Sequence, residues 1–305
     1  MLDAGKSPIC VRFSSRLLMA VGAISAVLSL RTLQRIGALL GDAAWHLRTR
    51  ATRTTLRNLQ LCFPTMDERA CIVLARQSLR GTGMFAIESL AILSQRPQAS
   101  LAWIGQVHGE AALELAHDRG GVIVLAPHIG NWELLNAYLG SKYQFAAMYA
   151  SPDDKSLDQL LTSLRDRAGG EMLPATNAGV RAMLRRLVEG RLVGHMPDQV
   201  PHPFSGGIHA PFFGVPALTS TLIARLAQRS GVTVICAFAC RLPDGAGFDL
   251  HFQRAASGIA SPDLLTAVSA INASVERCVQ FAPDQYQWEY KRFKHPPVGQ
   301  RDYYK

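Results

Sequence analysis

The chain is poor in charge for its size. Only 18% of its 305 residues are charged, against 48% hydrophobic, which places it toward the apolar end of soluble proteins and leaves surface to meet something other than water. Its six cysteines (Cys10, Cys62, Cys71, Cys236, Cys240 and Cys278) form no CxxC and no framework spacing; with several set within apolar runs, they read as reduced core residues facing a cytoplasmic milieu. No zinc-finger spacing, RNP-like aromatic run or long Lys/Arg block is present, so nucleic acid is not an expected partner. No G-x-S-x-G elbow supports a covalent serine hydrolase. P-loop and G-x-G-x-x-G phosphate cradles are also missing.

Charge of one sign predominates nonetheless. Thirty-two Lys and Arg against 23 Asp and Glu leave a formal charge of +9, which draws the protein to acidic partners such as anionic lipid or an acidic protein. The apolar stretch between Arg16 and Arg31, LLMAVGAISAVLSL, is 14 residues long, short of the roughly 20 that cross a bilayer. Lys6, Arg12 and Arg16 precede it as in a signal peptide, but another apolar stretch follows in place of a polar mature start. From Arg31 to Arg57 six arginines and a single acid, Asp42, interleave with Leu, Ile, Ala and Trp45, a pattern that suits a helix on an anionic membrane face. An ordinary amphipathic helix packed on the domain is the plainer alternative. The expected organisation is a membrane-associating helical segment over 1–57 and a catalytic domain over 58–305.

Thr65 and Glu68 form a capping box that predicts a helix from just after Pro64 to about Leu93. GGVIVLAP is a short β-branched apolar run, as expected of a strand covered on both faces. A helix from about Asn131, a strand at QFAAMYA, a helix through SLDQLLTSLRDRAG, a helix capped by Asn177 and a strand at RLVGHM follow. PDQVPHPFSGGIHAPFFGVPA, rich in Pro and Gly, reads as a long loop. A helix at LTSTLIARLAQRSG, strands at VTVICAFACRL and GFDLHFQ and a helix at LLTAVSAINASVERCVQF complete the pattern. Strands alternating with helices predict an α/β fold with a mixed, largely parallel central sheet flanked by helices.

In such sheets ligands sit outside the carboxyl ends of the strands. His128 directly follows one such end, and Gly130 and Asn131 turn the chain into a helix whose first turn carries Glu133. A carboxylate there can take the proton of one imidazole nitrogen and leave the other as an acceptor for a hydroxyl proton. A core histidine beside a glutamate that merely complements the helix dipole explains the same spacing.

HIGNWE resembles the H-x4-[DE] motif of glycerolipid-type acyltransferases, and specifically its form in the bacterial lipid A biosynthesis (late, secondary) acyltransferases. NLQLCFP, PDQ, APFFGVPALTST and YQWEYKRFK match further blocks of that family, in order, between Asn58 and Lys294. The resemblance implies direct transfer of an acyl chain from a thioester, on acyl carrier protein or coenzyme A, to a lipid hydroxyl. His128 is then the base and Glu133 or Asp198 its orienting carboxylate. It also places Arg165, with Arg167 as the near alternative, on an anionic part of a substrate, and puts Asp198, Asn131 and Trp132 in the substrate site. No resident cofactor or metal is implied, and the implied location is the cytoplasmic face of the bacterial inner membrane. YASP at Tyr149–Pro152 lacks an arginine usual in the family, which leaves another glycolipid or a pigment or polyene lipid open as acceptor. Two readings of other classes stand beside these. One is a metallohydrolase using His195, Asp198, His202 and His209; the other is a membrane lipid-binding protein without turnover.

Overall fold

The computed structural model describes residues 15–151, 154–167, 169–201 and 206–305. Four helices come first: α1 (Ser15–Ser25), α2 (Leu30–His46), α3 (Arg50–Cys62) and α4 (Glu68–Ser94). A short helix α5 (Pro97–Leu101) leads to β1 (Ile104–His108), α6 (Glu110–His117), β2 (Val122–Leu125), α7 (Trp132–Lys142), β3 (Phe145–Tyr149), α8 (Lys155–Asp166), β4 (Glu171–Pro174), α9 (Asn177–Val188) and β5 (Leu192–His195). The remainder is β6 (Gly207–Phe212), β7 (Val215–Ser220), α10 (Leu222–Ser230), β8 (Thr233–Arg241), β9 (Phe248–Arg254) and α11 (Leu264–Phe281).

Among the described residues seven strands form one sheet in the order β1-β9-β8-β2-β5-β3-β4, and the only antiparallel pair in it joins β8 to β9. The mixed, largely parallel sheet is as the alternating pattern predicts. All four residues of β2 are buried, because side chains alternate across a strand and both faces of this one are covered. Val122 and Val124 enter a core with Leu113, Leu134 and Leu139. Ile123 and Leu125 enter a second core with Met183, Ile223 and Val275. Each such side chain contributes about 1.5–3 kcal/mol on burial, so β2 is a rigid platform for whatever follows it.

The N-terminal helices are seated on this body. Gly83 of α4 lies so close to Gly37 of α2 that a Cβ there would stand 2.1 Å from the Gly37 carbonyl oxygen. Leu30 and Leu33 of α2 are buried, and the expected boundary at 57/58 falls inside α3. Among the described residues no helix is long and apolar enough to cross a membrane.

Several local expectations are corrected. Asp67, not Thr65, caps α4, its Oδ2 accepting from Ala70 N at 3.1 Å. Thr176, not Asn177, caps α9 by accepting from Gly179 N at 3.3 Å. The expected long loop contains the antiparallel hairpin β6–β7. Its turn, Phe213-Gly214, has positive φ at both residues (48° and 76°), the conformation that matches strand twist in a two-residue hairpin. Phe213 N donates to Glu276 Oε1 of α11 at 2.8 Å, which anchors the turn. Strands β1 and β4 and helix α6 went unforeseen. Both strands lie at the sheet's edges, where burial is incomplete and no continuous apolar run is needed. Of the cysteines, five are free; Cys62, Cys71, Cys236 and Cys278 are buried and Cys240 half-buried, while Cys10 lies outside the described residues.

Candidate active site

The site is assembled by the register of two neighbouring parallel strands. Leu125, the last residue of β2, pairs with His195, the last of β5. His128 and Asp198 each lie three residues beyond those ends, so the sheet delivers them side by side although 70 positions separate them in the chain. Asp198 uses both carboxylate oxygens on His128: Oδ2 accepts the backbone N–H at 2.9 Å, and Oδ1 lies 2.8 Å from Nδ1. A carboxylate acting only as acceptor requires the proton on Nδ1, which makes Nε2 the basic nitrogen of the neutral ring. The Gln199 amide nitrogen stands 3.1 Å from that Nε2. The ring is 13% exposed and the Asp198 side chain 2%, so the base is reachable while its partner is sealed in.

The backbone around His128 is clamped from three sides. His128 O accepts from Gln287 N at 3.0 Å, and Gly130 N donates to Gln285 O at 3.0 Å. Asn131 N donates to Ala239 O of β8 at 3.0 Å. Gly130 has φ +61°, and a Cβ there would fall 1.8 Å from the Ala239 oxygen, so both conformation and close approach demand glycine. Asn131 caps α7 through Oδ1, which accepts from Leu134 N at 3.2 Å, and its Nδ2 donates to Glu88 Oε2 at 3.0 Å. Glu88 is fully buried and bound by Arg241 through Nε at 2.6 Å and Nη2 at 2.7 Å, with Gln34 Nε2 at 3.0 Å as a further donor. This network ties α2, α4 and β8 to the turn that carries His128.

Electrostatics divide the surroundings of His128. Burial pushes the Asp198 carboxyl up, but the charge and two hydrogen bonds of His128 outweigh it and hold the group below the usual carboxylate range. His195 is lowered to about 4, first by burial and then by nearby His128, against the pull of Asp198. Glu289, which accepts from Thr82 Oγ1 at 3.1 Å, is raised by burial and feels the charge of His128. Tyr286, beside Asp198, is raised well above the ordinary phenol value, chiefly by burial.

Glu133 points elsewhere. Its two oxygens accept from Arg165, from Nη2 and from Nε, the latter at 3.1 Å. Asn131 is the N-cap, so Glu133 is only the second residue of α7; Trp132, the first, lays its ring edge-on against His128 at 4.9 Å. Arg165, expected on a substrate anion, spends its guanidinium on Glu133 and lies 4.8 Å over the Tyr149 ring. Arg167 donates to Leu93 O at 2.8 Å. The structure thus brings His128, Asp198 and Trp132 together, with Asn131 behind them, and sets Glu133 with Arg165 as a separate buried pair. The metallohydrolase set does not converge: among the described residues no group of three His, Cys, Asp or Glu is placed to hold a metal. His209 hydrogen-bonds the His295 carbonyl oxygen at 2.9 Å, and His202 lies outside the described residues.

Sequence reasoning missed Glu88, Gln199 and Glu289 as site residues. A lone acid in the apolar helical stretch MFAIESLAIL was the available signal for Glu88, since a charge there requires a buried partner. Gln199 and Glu289 stood inside quoted motifs but carried no signal of their own.

What the arrangement can do is remove a proton from a hydroxyl at a water-poor strand end. The profile of the bacterial lipid A biosynthesis acyltransferase family matches residues 7–295. The chain is 28% identical over 266 residues to the lipid A biosynthesis lauroyltransferase of Escherichia coli K12, covering 87% of this chain and 86% of that protein. It is 26% identical over 274 residues to the palmitoleoyltransferase of the same strain, covering 88% and 87%. Against that strain's myristoyltransferase it is 29% identical over 278 residues, covering 88% and 83%.

Proposed function

Since the chain belongs to the bacterial lipid A biosynthesis acyltransferase family and is an acyltransferase, we propose that it moves a fatty acyl chain from an acyl thioester to a hydroxyl of a lipid A precursor, with His128 as general base. The observation that carries this reading is the grip of Asp198 on His128 Nδ1 at 2.8 Å, which leaves Nε2 as the basic nitrogen of a partly exposed ring. Asp198 then orients the imidazole and stabilises its charged form. The hydroxyl oxygen attacks the thioester carbonyl as Nε2 takes its proton; collapse expels the thiolate, which recovers that proton. The two substrates suffice, with no resident cofactor. Glu133 serves indirectly, by fixing Arg165 behind the first turn of α7.

The donor is an anionic thioester, acyl carrier protein or acyl coenzyme A. Support comes from a cleft of about 470 Å³ lined by Arg50, Arg53, Arg57, Lys291 and Lys305. Among the described residues only Lys305 of these five has a carboxylate partner, Asp302 at 3.9 Å. The chain meets the cytoplasmic face of the inner membrane through α1 and α2. Ile24 of α1, Val27 of the turn that follows it, and Leu39 and Leu40 of α2 are exposed, with Arg31 and Arg35 also exposed on α2, as expected of an interfacial surface. The YASP departure at Tyr149–Pro152 favours one second reading, another glycolipid or a pigment or polyene lipid as acceptor.

Purified enzyme with a labelled acyl thioester and a lipid A precursor bearing a free hydroxyl tests the proposal. Transfer is expected in the wild type and is expected to disappear in His128→Ala. Persistence in that variant refutes the base assignment. Transfer to another hydroxylated lipid but not to the precursor supports the second reading, and no transfer by any wild-type preparation supports a lipid-binding protein without turnover.

A further inference from the structure

Asp198 and Gln199 are consecutive, and together they occupy both nitrogens of one imidazole: Asp198 at Nδ1 and Gln199 at Nε2. With the proton on Nδ1, the Nε2 lone pair accepts from the Gln199 amide. An acceptor hydroxyl must approach that same lone pair, so the amide has to give way before a proton can be taken. The local structure suits such a movement. Asp198 pins the backbone on one side of Gln199, and on the other Val200 N donates to Tyr290 Oη at 2.9 Å. The half-buried Gln199 side chain makes no other hydrogen bond among the described residues. A fixed backbone thus carries a donor whose tip is held by a single hydrogen bond, at the reacting centre.

We propose that Gln199 is a catalytic residue whose amide caps the base lone pair of His128, is displaced by the acceptor hydroxyl, and then donates its N–H to the oxyanion of the tetrahedral intermediate. This rests on the reading of His128 as base. As the hydroxyl oxygen bonds to the thioester carbon, its proton passes to His128 Nε2 and the carbonyl π pair moves onto oxygen. That oxygen lies about 3 Å from the position the amide has just left, within reach of one donor. Re-formation of the carbonyl breaks the C–S bond, and His128 returns the proton to sulfur. The charged and titratable groups facing His128 are Asp198 and His195 from the end of β5 and Glu289 from the C-terminal segment. Glu133 and Arg165 neutralise one another beyond Trp132.

The experiment is steady-state kinetics against pH for wild type, Gln199→Ala, Gln199→Asn and Gln199→Glu, with acyl thioester and lipid acceptor. In Gln199→Ala, kcat is expected to fall about 10²–10³-fold, as for loss of one oxyanion donor, with both KM values within about threefold. Because a hydrogen bond into the lone pair favours the neutral ring, its loss is expected to move the acidic limb of kcat/KM to higher pH by roughly half to one unit. Gln199→Glu moves the limb further without recovering kcat. A kcat within about twofold of wild type, a loss confined to KM, or an unmoved limb overturns the proposal. Should the alanine variant lose its circular dichroism signature, Gln199→Asn, whose amide is one methylene too short, carries the same expectations. The ¹⁵N titration of the His128 ring, which needs no turnover, is expected to move with the limb, and an unmoved titration in a folded variant is equally fatal. An inactive His128→Ala with a normal Gln199→Ala sinks only this inference, whereas an active His128→Ala sinks the base reading beneath it.

Discussion

On one side of the turn after β2, Asp198 holds a histidine whose other nitrogen meets only the neutral Gln199 amide; on the other, Glu133 holds an arginine with both of its oxygens. Both carboxylates are nearly sealed from water, Asp198 at 2% and Glu133 at 5% exposure. The partners differ in what they can exchange. Imidazole gains and loses a proton near neutral pH, while guanidinium keeps its charge. On the proposed reading, the Asp198 side does the proton chemistry, and the Glu133 side holds shape and charge. Two buried carboxylates on that reading divide the work, one orienting a base and the other holding a cation.

The sharpest way to break this contrast is Asp198→Asn. It preserves shape but leaves one acceptor oxygen for two donors, the His128 backbone N–H and Nδ1–H, so the Nδ1 proton is no longer fixed; kcat is expected to fall by about 10³–10⁴, or roughly 4–5.5 kcal/mol, the scale seen when a base loses its orienting carboxylate. Steady-state assay checks this; a loss under tenfold moves the orienting role away from Asp198. Next in size is Glu133→Ala, which strands Arg165 and is expected to cost about 3 kcal/mol in denaturant unfolding. Combined with Arg165→Ala the losses should be far from additive, with a coupling of about 1–3 kcal/mol. Strict additivity in the double-mutant cycle would show that the pair does not act as a unit.

The smallest effect sharpens the electrostatic side. His195, at about 4 in the fold against an ordinary 6.5, is kept neutral where the unfolded chain is protonated. Its contribution to stability is therefore complete above about pH 6.5 and declines as pH falls toward 4. Partial exposure of the ring limits this to about 2 kcal/mol. Asp198, held below its ordinary range, adds a second loss only at lower pH. Urea unfolding of His195→Gln should show the first decline flattened and the second retained; an unchanged pH profile would place the titration elsewhere.

The continuous apolar run of β2 announced a buried strand, and the histidine at its end announced a site, because both signals are local. The partner of that histidine was not local. H-x4-E spacing suggests proximity, but a turn followed by a helix N-terminus lets neighbouring side chains face different ways, and here Trp132 takes the place beside the ring. Asp198 is brought in by β2–β5 pairing, which nothing in either segment alone specifies. The β6–β7 hairpin was hidden for a related reason. Its prolines and glycines mimic a loop, and its Phe213-Gly214 turn lacks the Asn-Gly or Asp-Gly signature. The docking of that turn on Glu276 is a tertiary contact.

The matched three-residue offsets of His128 and Asp198 beyond β2 and β5 have a temporal consequence. Neither half of the pair can form until two strands distant in sequence have zipped together, and such non-local pairing is paid for late in folding. During refolding, secondary structure should return first and turnover only when the centre of the sheet closes. Regained acyl transfer is thus a clock for sheet assembly.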